Sequence, residues 1–290
     1  MTASQPDIPT IEQYRRFYAE EIAASANLDQ PRLVEAFARV SRERFLGPAP
    51  WQVGGPMFLQ NAFRTTSEPR DVYHNVAVAL KMSQSLNNGQ PGLLAGWIAA
   101  LDLAEGHRVF HLGAGTGYFT AILAEVVGPS GTVVAAEVEP DLAAMASENL
   151  RAYPNVTVHC ADGAAVDPGR CEAILINAGV THPHLPWLHG LNHRARMVLP
   201  LTTRMPQGWG KGLAIRITRN QDRFAAEILS MVAIYSCTSV RDAALEPLLE
   251  KAMTSQQFMK LKSVRLDAHE QTDSCIVHGA KVCLSAAALE

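Results

Sequence analysis

Val109-Phe-His-Leu-Gly-Ala-Gly-Thr-Gly-Tyr118 decides how this chain is read. A short apolar run enters a glycine turn, and a second apolar run starts at Tyr118. The pattern predicts a buried strand, a tight turn and a helix. Gly113, Gly115 and Gly117 stand at alternate positions. There the backbone can turn sharply and approach a ligand with no side chain in the way. Dinucleotide-binding turns read Gly-x-Gly-x-x-Gly and cradle a pyrophosphate at a helix N-terminus. The Gly-x-Gly-x-Gly spacing here points instead to a nucleoside-type ligand without a phosphate.

Two acids extend the pattern. Gly131-Thr-Val-Val-Ala-Ala-Glu137 reads as a second strand ending in a carboxylate, twenty residues after Gly117. An acid there accepts hydrogen bonds from both ribose hydroxyls, each worth roughly 1.5–3 kcal/mol. Val156-Thr-Val-His-Cys160 reads as a third strand, and Ala161-Asp162-Gly163 follows it directly. Asp162 suits an adenine amino group. Glycine turn, acid after strand two and Asp after strand three, in that order, select S-adenosyl-L-methionine (SAM) as the expected cofactor. Its predicted contacts are His111, Gly113, Ala114, Gly115, Thr116, Gly117 and Tyr118 on strand one and its turn. Glu137, Val138, Asp162 and Gly163 follow strands two and three, Asn177 ends strand four, and Gln90 comes from an earlier segment.

The chain has 290 residues, enough for one large core or two modest ones. A net charge of −3 argues against nucleic acid as a partner. No apolar run is long enough for a membrane helix, and Met1 to Arg16 lacks a signal-peptide layout. The five cysteines, Cys160, Cys171, Cys237, Cys275 and Cys283, are odd in number and scattered, as expected of reduced thiols in a cytoplasmic protein. No feature sets an oligomeric state.

Apolar spacing predicts helices over 10–26 and 31–40, split by the helix-start signal Asp29-Gln-Pro31. Residues 46–62, rich in Gly and Pro, read as an ordered loop. A short strand, Val76 to Leu80, precedes a polar segment, Ser83 to Pro91, and a helix from Gly92 to Leu103. Strands near 108–112, 132–136, 156–160, 173–177 and 195–199 then alternate with helices near 118–127, 140–151 and 184–192. That alternation predicts a parallel sheet with helices on both faces. Residues 212–219 and 225–236 read as an antiparallel edge hairpin, 243–265 as helical, and 275–285 as a last hairpin. The division expected is an N-terminal helical and loop segment (1–70), a catalytic domain (71–240) and a C-terminal extension (241–290).

Further segments resemble a known family. Val40-Ser-Arg-Glu-Arg-Phe45 resembles the Val-Pro-Arg-Glu-x-Phe that opens protein-L-isoaspartate O-methyltransferases. Asp71-Val-Tyr-His-Asn-Val-Ala-Val-Ala-Leu80 is similar to that family's Ala-Tyr-x-Asp-x-Pro-Leu-Pro-Ile segment. Asn87-Asn-Gly-Gln-Pro91 stands where the family has Thr-Ile-Ser-x-Pro, Ile176-Asn-Ala-Gly179 where it has Val-Gly-Ala-Ala, and Leu199-Pro-Leu201 where it has Leu-Pro-Val. The resemblance runs from about residue 30 to 240. It implies an α/β, Rossmann-like SAM methyltransferase fold: a mostly parallel seven-stranded sheet with helices on both faces, an N-terminal helical segment and a C-terminal α+β extension. It also implies methyl transfer to a carboxylate of an isoaspartyl or aspartyl peptide, or of a related protein or small-molecule acid. The chain departs at Gly89, where the family has a Ser whose hydroxyl lies between SAM and the incoming carboxylate. It departs again at Asn87, Asn88 and at His111, which replaces an acid. These departures leave two rivals open: a natural-product or modified-peptide tailoring methyltransferase, and a SAM-binding module without turnover.

A carboxylate is already ionised at pH 7, with a reference pKa near 4. Its methylation needs alignment and exclusion of water rather than a general base. Neutral donors therefore suit the site, and Ser85, Asn87 and Asn88, with Gln90 beside them, are the expected acceptor-binding residues. No metal is expected. His182, His184, His189 and His193 crowd one segment, but prolines and a glycine interrupt it. Cys275, His278 and Cys283 lack a fourth ligand. Trp187 and Trp209 follow strands four and five and are candidates to border the substrate.

Overall fold

A computed structural model describes residues 9–54 and 63–289. Helix α1 (Ile11–Ser25) is closed at its start by a capping box: Thr10 accepts from the Gln13 N–H, and the Gln13 side chain accepts from the Thr10 N–H. Helix α2 (Pro31–Arg39) begins at a proline, whose missing N–H is no loss in a first turn.

The next stretch differs from the loop expected over 46–62. Trp51–Gly54 forms strand β1, paired antiparallel with β2 (Phe63–Thr66), while residues 55–62 lie outside the described residues. Four-residue strands are too short to show a period, so composition misleads there. β1 also pairs with β3 (Ala77–Lys81), and β3 with β4 (Leu86–Asn87), giving a four-stranded sheet in the order β2-β1-β3-β4. This sheet crosses the boundary expected at residue 70 and carries the polar segment 83–90.

Alternating elements follow: α3 (Pro91–Ala100), β5 (Arg108–Leu112), α4 (Tyr118–Val127), β6 (Thr132–Glu137), α5 (Pro140–Asn149), β7 (Val156–Cys160), β8 (Cys171–Ile176), α6 (Leu185–Gly190) and β9 (Leu191–Arg204). Strands β7-β6-β5-β8-β9 run parallel, in that order. β10 (Trp209–Asn220) and β11 (Arg223–Tyr235) add an antiparallel hairpin beside β9. These seven strands form the sheet the alternation predicts.

The sheet then continues. After α7 (Glu246–Thr254) and a 3-10 turn at Gln257–Lys260, Ser263–Arg265 becomes strand β12 against β11. This corrects the helix expected through 265. β13 (Cys275–His278) and β14 (Cys283–Ser285) complete a ten-stranded sheet ending β11-β12-β14-β13. The seven expected strands are mostly parallel, and the added antiparallel edge makes the ten-stranded sheet mixed.

Both faces of the central strands are buried. Val109, Val133 and Ala173 pack into one apolar cluster with α1 to α4, and their chain neighbours Phe110, Val134 and Ile174 into a second with α6 and α7. Alternate side chains point to opposite faces of a strand, so such strands read as continuous apolar runs. The carboxyl ends of β5, β6, β7 and β8 meet at one rim, where ligands bind in open α/β sheets.

Candidate active site

The glycine turn at that rim is wired to the acid beside it. Gly113 adopts φ +79°, and a Cβ there would lie 2.9 Å from the Asn177 carbonyl oxygen. Only glycine combines that backbone with that approach. The N–H groups of Gly113 and Ala114 both reach the Ala136 carbonyl, at 2.9 and 3.2 Å. The Gly115 N–H donates to Glu137 Oε2 at 2.7 Å and the Glu139 N–H to Oε1 at 3.0 Å. Glu137 is buried. Desolvation pushes its carboxyl above the ordinary value, and these backbone donors partly oppose the shift. Each carboxylate oxygen keeps a further lone pair for a ligand hydroxyl.

A cavity of about 480 Å³ opens over this rim, within the size range of cofactor sites. Gly113, Gly115, Glu137, Val138, Asp162, Gly163 and Asn177 line it from the sheet, and Ser85, Asn87 and Gln90 line it from the β4 side. The Asn177 amide donates to the Gly113 carbonyl at 3.4 Å. Asp162 accepts from Thr238 Oγ1 at 3.1 Å and Ser239 Oγ at 2.9 Å, which ties the exit of β7 to the chain after β11. Glu137, Glu139 and Asp162 border the cavity, and among the described residues no Lys, Arg or His does. The electrostatics suit a cationic ligand, since a site of this sign lowers the cost of removing such a ligand from water.

Six expected contacts lie elsewhere. His111 is fully buried on β5; its Nδ1 meets Thr120 Oγ1 at 2.9 Å, and Nε2 has no hydrogen-bond partner among the described residues. Burial pushes its imidazole down to about 4. Gly117 caps α4 at φ +95°, where a Cβ would meet Leu150 at 2.8 Å. Tyr118 belongs to a buried aromatic group, with its hydroxyl 3.2 Å from that of Tyr18. Ala114, Thr116, Tyr118 and Asn88 line only a second cavity of about 30 Å³. Asn88, expected at the acceptor, is buried in the frame: its Oδ1 accepts from the Val78 N–H and from Arg42. None of these six side chains lines the large cavity, because strand one and its helix face inward where the turn's backbone faces out.

One wall of the cavity carries no local sequence signal. Asn75, Leu80 and the run Met231 to Thr238 line the cavity as well. Alternating apolar residues at 225–236 signal an edge strand, and nothing local shows that its end folds over a rim built 100 residues earlier. Trp209 borders the cavity as expected, whereas Trp187 is fully buried with its indole N–H 3.4 Å from the Gly163 carbonyl. Lys81 pairs with Glu139 at 2.7 Å and Asp141 at 2.5 Å, joining β3 to the start of α5. Gly89 adopts φ +79°, and a Cβ there would lie 3.1 Å from Leu94 and 3.4 Å from Phe119. A side chain at position 89 would therefore be both strained and crowded.

Comparison with known proteins decides the family. The family model described as "Protein-L-isoaspartate(D-aspartate) O-methyltransferase (PCMT)" matches residues 19–232, which carry the glycine turn, the acids and the 83–90 segment. The chain belongs to the protein-L-isoaspartate O-methyltransferase family. Protein-L-isoaspartate O-methyltransferase 1 of Archaeoglobus fulgidus is 30% identical over 194 residues, covering 66% of this chain and 80% of its own. The enzyme of Methanothrix thermoacetophila is 30% identical over 205 residues, covering 69% and 85%. A solved protein-L-isoaspartate O-methyltransferase superposes with TM-score 0.59 at 20% identity, over 83% of this chain and 69% of its own. A structure from Plasmodium falciparum, described as a putative family member in complex with S-adenosyl-L-homocysteine, gives TM-score 0.59 at 15% identity, over 77% and 98%. These two solved structures share the fold.

The protein is accordingly a SAM-dependent O-methyltransferase that acts on carboxylates. The cavity fits that cofactor: the cradle at Gly113 is closed to any side chain, and among the described residues no basic group waits for a phosphate. Residues 233–290 lie beyond the matched span.

Proposed function

We propose that the methyl acceptor is a carboxylate on an isoaspartyl or aspartyl peptide, held by Ser85, Asn87 and Gln90 beside the glycine turn. The observation that carries this reading is the composition of the β4 side of the cavity: neutral amides and a hydroxyl, with no charged side chain among the described residues on that side. SAM supplies an electrophilic sulfonium methyl. Glu137 and Asp162 would hold its adenosyl part, and the Gly113–Gly115 backbone and Asn177 its remainder. A carboxylate arrives already deprotonated, so the protein's task is orientation. Neutral donors fix its oxygens without the tight ion pair that would blunt attack. Positioning of this kind supplies roughly 7–11 kcal/mol of a barrier. Asn87 Oδ1 accepts from the Gly89 N–H at 2.8 Å, a turn that sets the backbone of the acceptor segment.

Gly89 favours a second reading within the same chemistry. Without the family's hydroxyl, the acceptor is the acid of a modified peptide under construction rather than a damaged one. Purified enzyme with labelled SAM and paired peptides, one isoaspartyl and one normal, tests both. Base-labile methyl ester on the isoaspartyl peptide supports the first reading. Ester on another acidic peptide alone supports the second, and no ester on any carboxylate contradicts the proposal.

A further inference from the structure

His269, Cys275, His278 and Cys283 meet in the C-terminal edge of the sheet, far from the carboxyl rim in strand order. Each offers one ligand atom, and these atoms all lie within 4.8 Å of one another. A tetrahedral zinc site with Zn–S near 2.3 Å and Zn–N near 2.1 Å sets its donors about 3.3–3.8 Å apart. Cys275 Sγ and His269 Nε2 are already at 3.6 Å. The strand register places His278 directly opposite Cys283.

The surroundings are those of a metal site. His269 Nδ1 donates to the Asp267 carbonyl at 2.8 Å and lies 3.4 Å from its carboxylate, which leaves Nε2 for a ligand bond. Arg265 holds that carboxylate in turn, at 3.1 and 2.5 Å. The Thr272 N–H donates to Cys275 Sγ at 3.3 Å. His278 Nδ1 is buried and has no hydrogen-bond partner among the described residues, an arrangement that is costly for a free imidazole. Donor chemistry of two thiols and two imidazoles selects zinc over magnesium or calcium.

We infer that these four side chains bind one zinc ion, which staples the 266–274 segment to the β13/β14 hairpin. Cys275, His278 and Cys283 alone are one ligand short. His269 completes the set only once the chain between β12 and β13 folds back on the hairpin. Residues 266–274 form no helix or strand, and a metal anchors them to the strands of the hairpin.

The test uses the untagged full chain purified from zinc-supplemented medium. Elemental analysis is expected to find about one zinc per chain, and cobalt substitution to give thiolate charge-transfer and tetrahedral d–d bands. Cys283→Ser and His269→Gln are expected to lose the metal and melt lower, while still binding S-adenosyl-L-homocysteine. A chelator is expected to lower the melting point of the wild type and not of the variants. Where a variant fails to fold, the cobalt spectrum of the wild type decides alone. Chain free of zinc with no cobalt bands overturns the inference, and so does a Cys275–Cys283 disulfide in non-reducing peptide maps.

Discussion

Arg42 donates to Asn88 Oδ1 at 3.2 Å, and the same oxygen accepts the Val78 N–H at 2.9 Å. Arg42 is fully buried and meets no carboxylate among the described residues. It donates instead to the carbonyls of Val72, Val76 and His74, at 2.7, 2.7 and 3.2 Å, and lies over the rings of Tyr18 and Tyr118. This one side chain fixes the segment that leads into the acceptor side of the cavity. Asn88→Ala would strand a buried N–H and a guanidinium, so unfolding free energy should fall by about 1–3 kcal/mol. Asn88→Asp keeps both acceptor bonds and removes an amide nitrogen that has no partner among the described residues. Attraction to Arg42 offsets the added desolvation, and stability should stay within about 1 kcal/mol of wild type. Denaturant unfolding of the pair checks this, and equal losses would contradict it.

Gly113→Ala tests the cradle. The new Cβ would meet the Asn177 carbonyl at 2.9 Å in a left-handed backbone. Local strain of about 1–2 kcal/mol is expected, with a folded chain by circular dichroism. Calorimetry should show affinity for S-adenosyl-L-homocysteine falling at least about tenfold. Unchanged affinity would remove the turn from the cofactor site.

Glu137→Gln tests the ribose contact separately. Removing the charge weakens each hydroxyl bond, and at roughly 1.5–3 kcal/mol per bond, affinity should drop roughly 10- to 100-fold. Turnover at saturating SAM should change less, because Glu137 is not on the acceptor side. A larger effect on kcat than on KM for SAM would argue against this placement.

Much of this was legible in the sequence, for a physical reason. The strands β5, β6 and β8 are buried on both faces and read as largely apolar runs, and the turn and its acids follow at fixed offsets. Signals failed where contacts are long-range. Arg42 lies in a polar run that looks solvated, Asn88 in a segment that looks exposed, and β12 in three residues at the end of an apparent helix. The residues from 231 to 238 join the site through the pairing of β11 with β10 and through bonds to Gly179 and Asp162, which no local pattern records.

His111 gives a pH signature. Its imidazole is held down to about 4, against 6.5 for an ordinary histidine. Between these values the unfolded chain binds the extra proton, so stability is lost as the pH falls. Burial lowers His182 and His184 as well, in the same direction, whereas the raised carboxyl of Glu137 favours the folded state as the pH falls. Comparison with His111→Gln isolates the one residue. Between pH 7 and 5 the variant should lose about 2 kcal/mol less than wild type. Parallel pH profiles would show that His111 is not buried in its neutral form.

The most direct measurement is a crystal structure of the enzyme with S-adenosyl-L-homocysteine. The ribose hydroxyls should sit on Glu137, the adenine beside Asp162, and the sulfur should face Ser85, Asn87 and Gln90. Product lodged anywhere other than over the carboxyl ends of β5 and β6 would contradict the account.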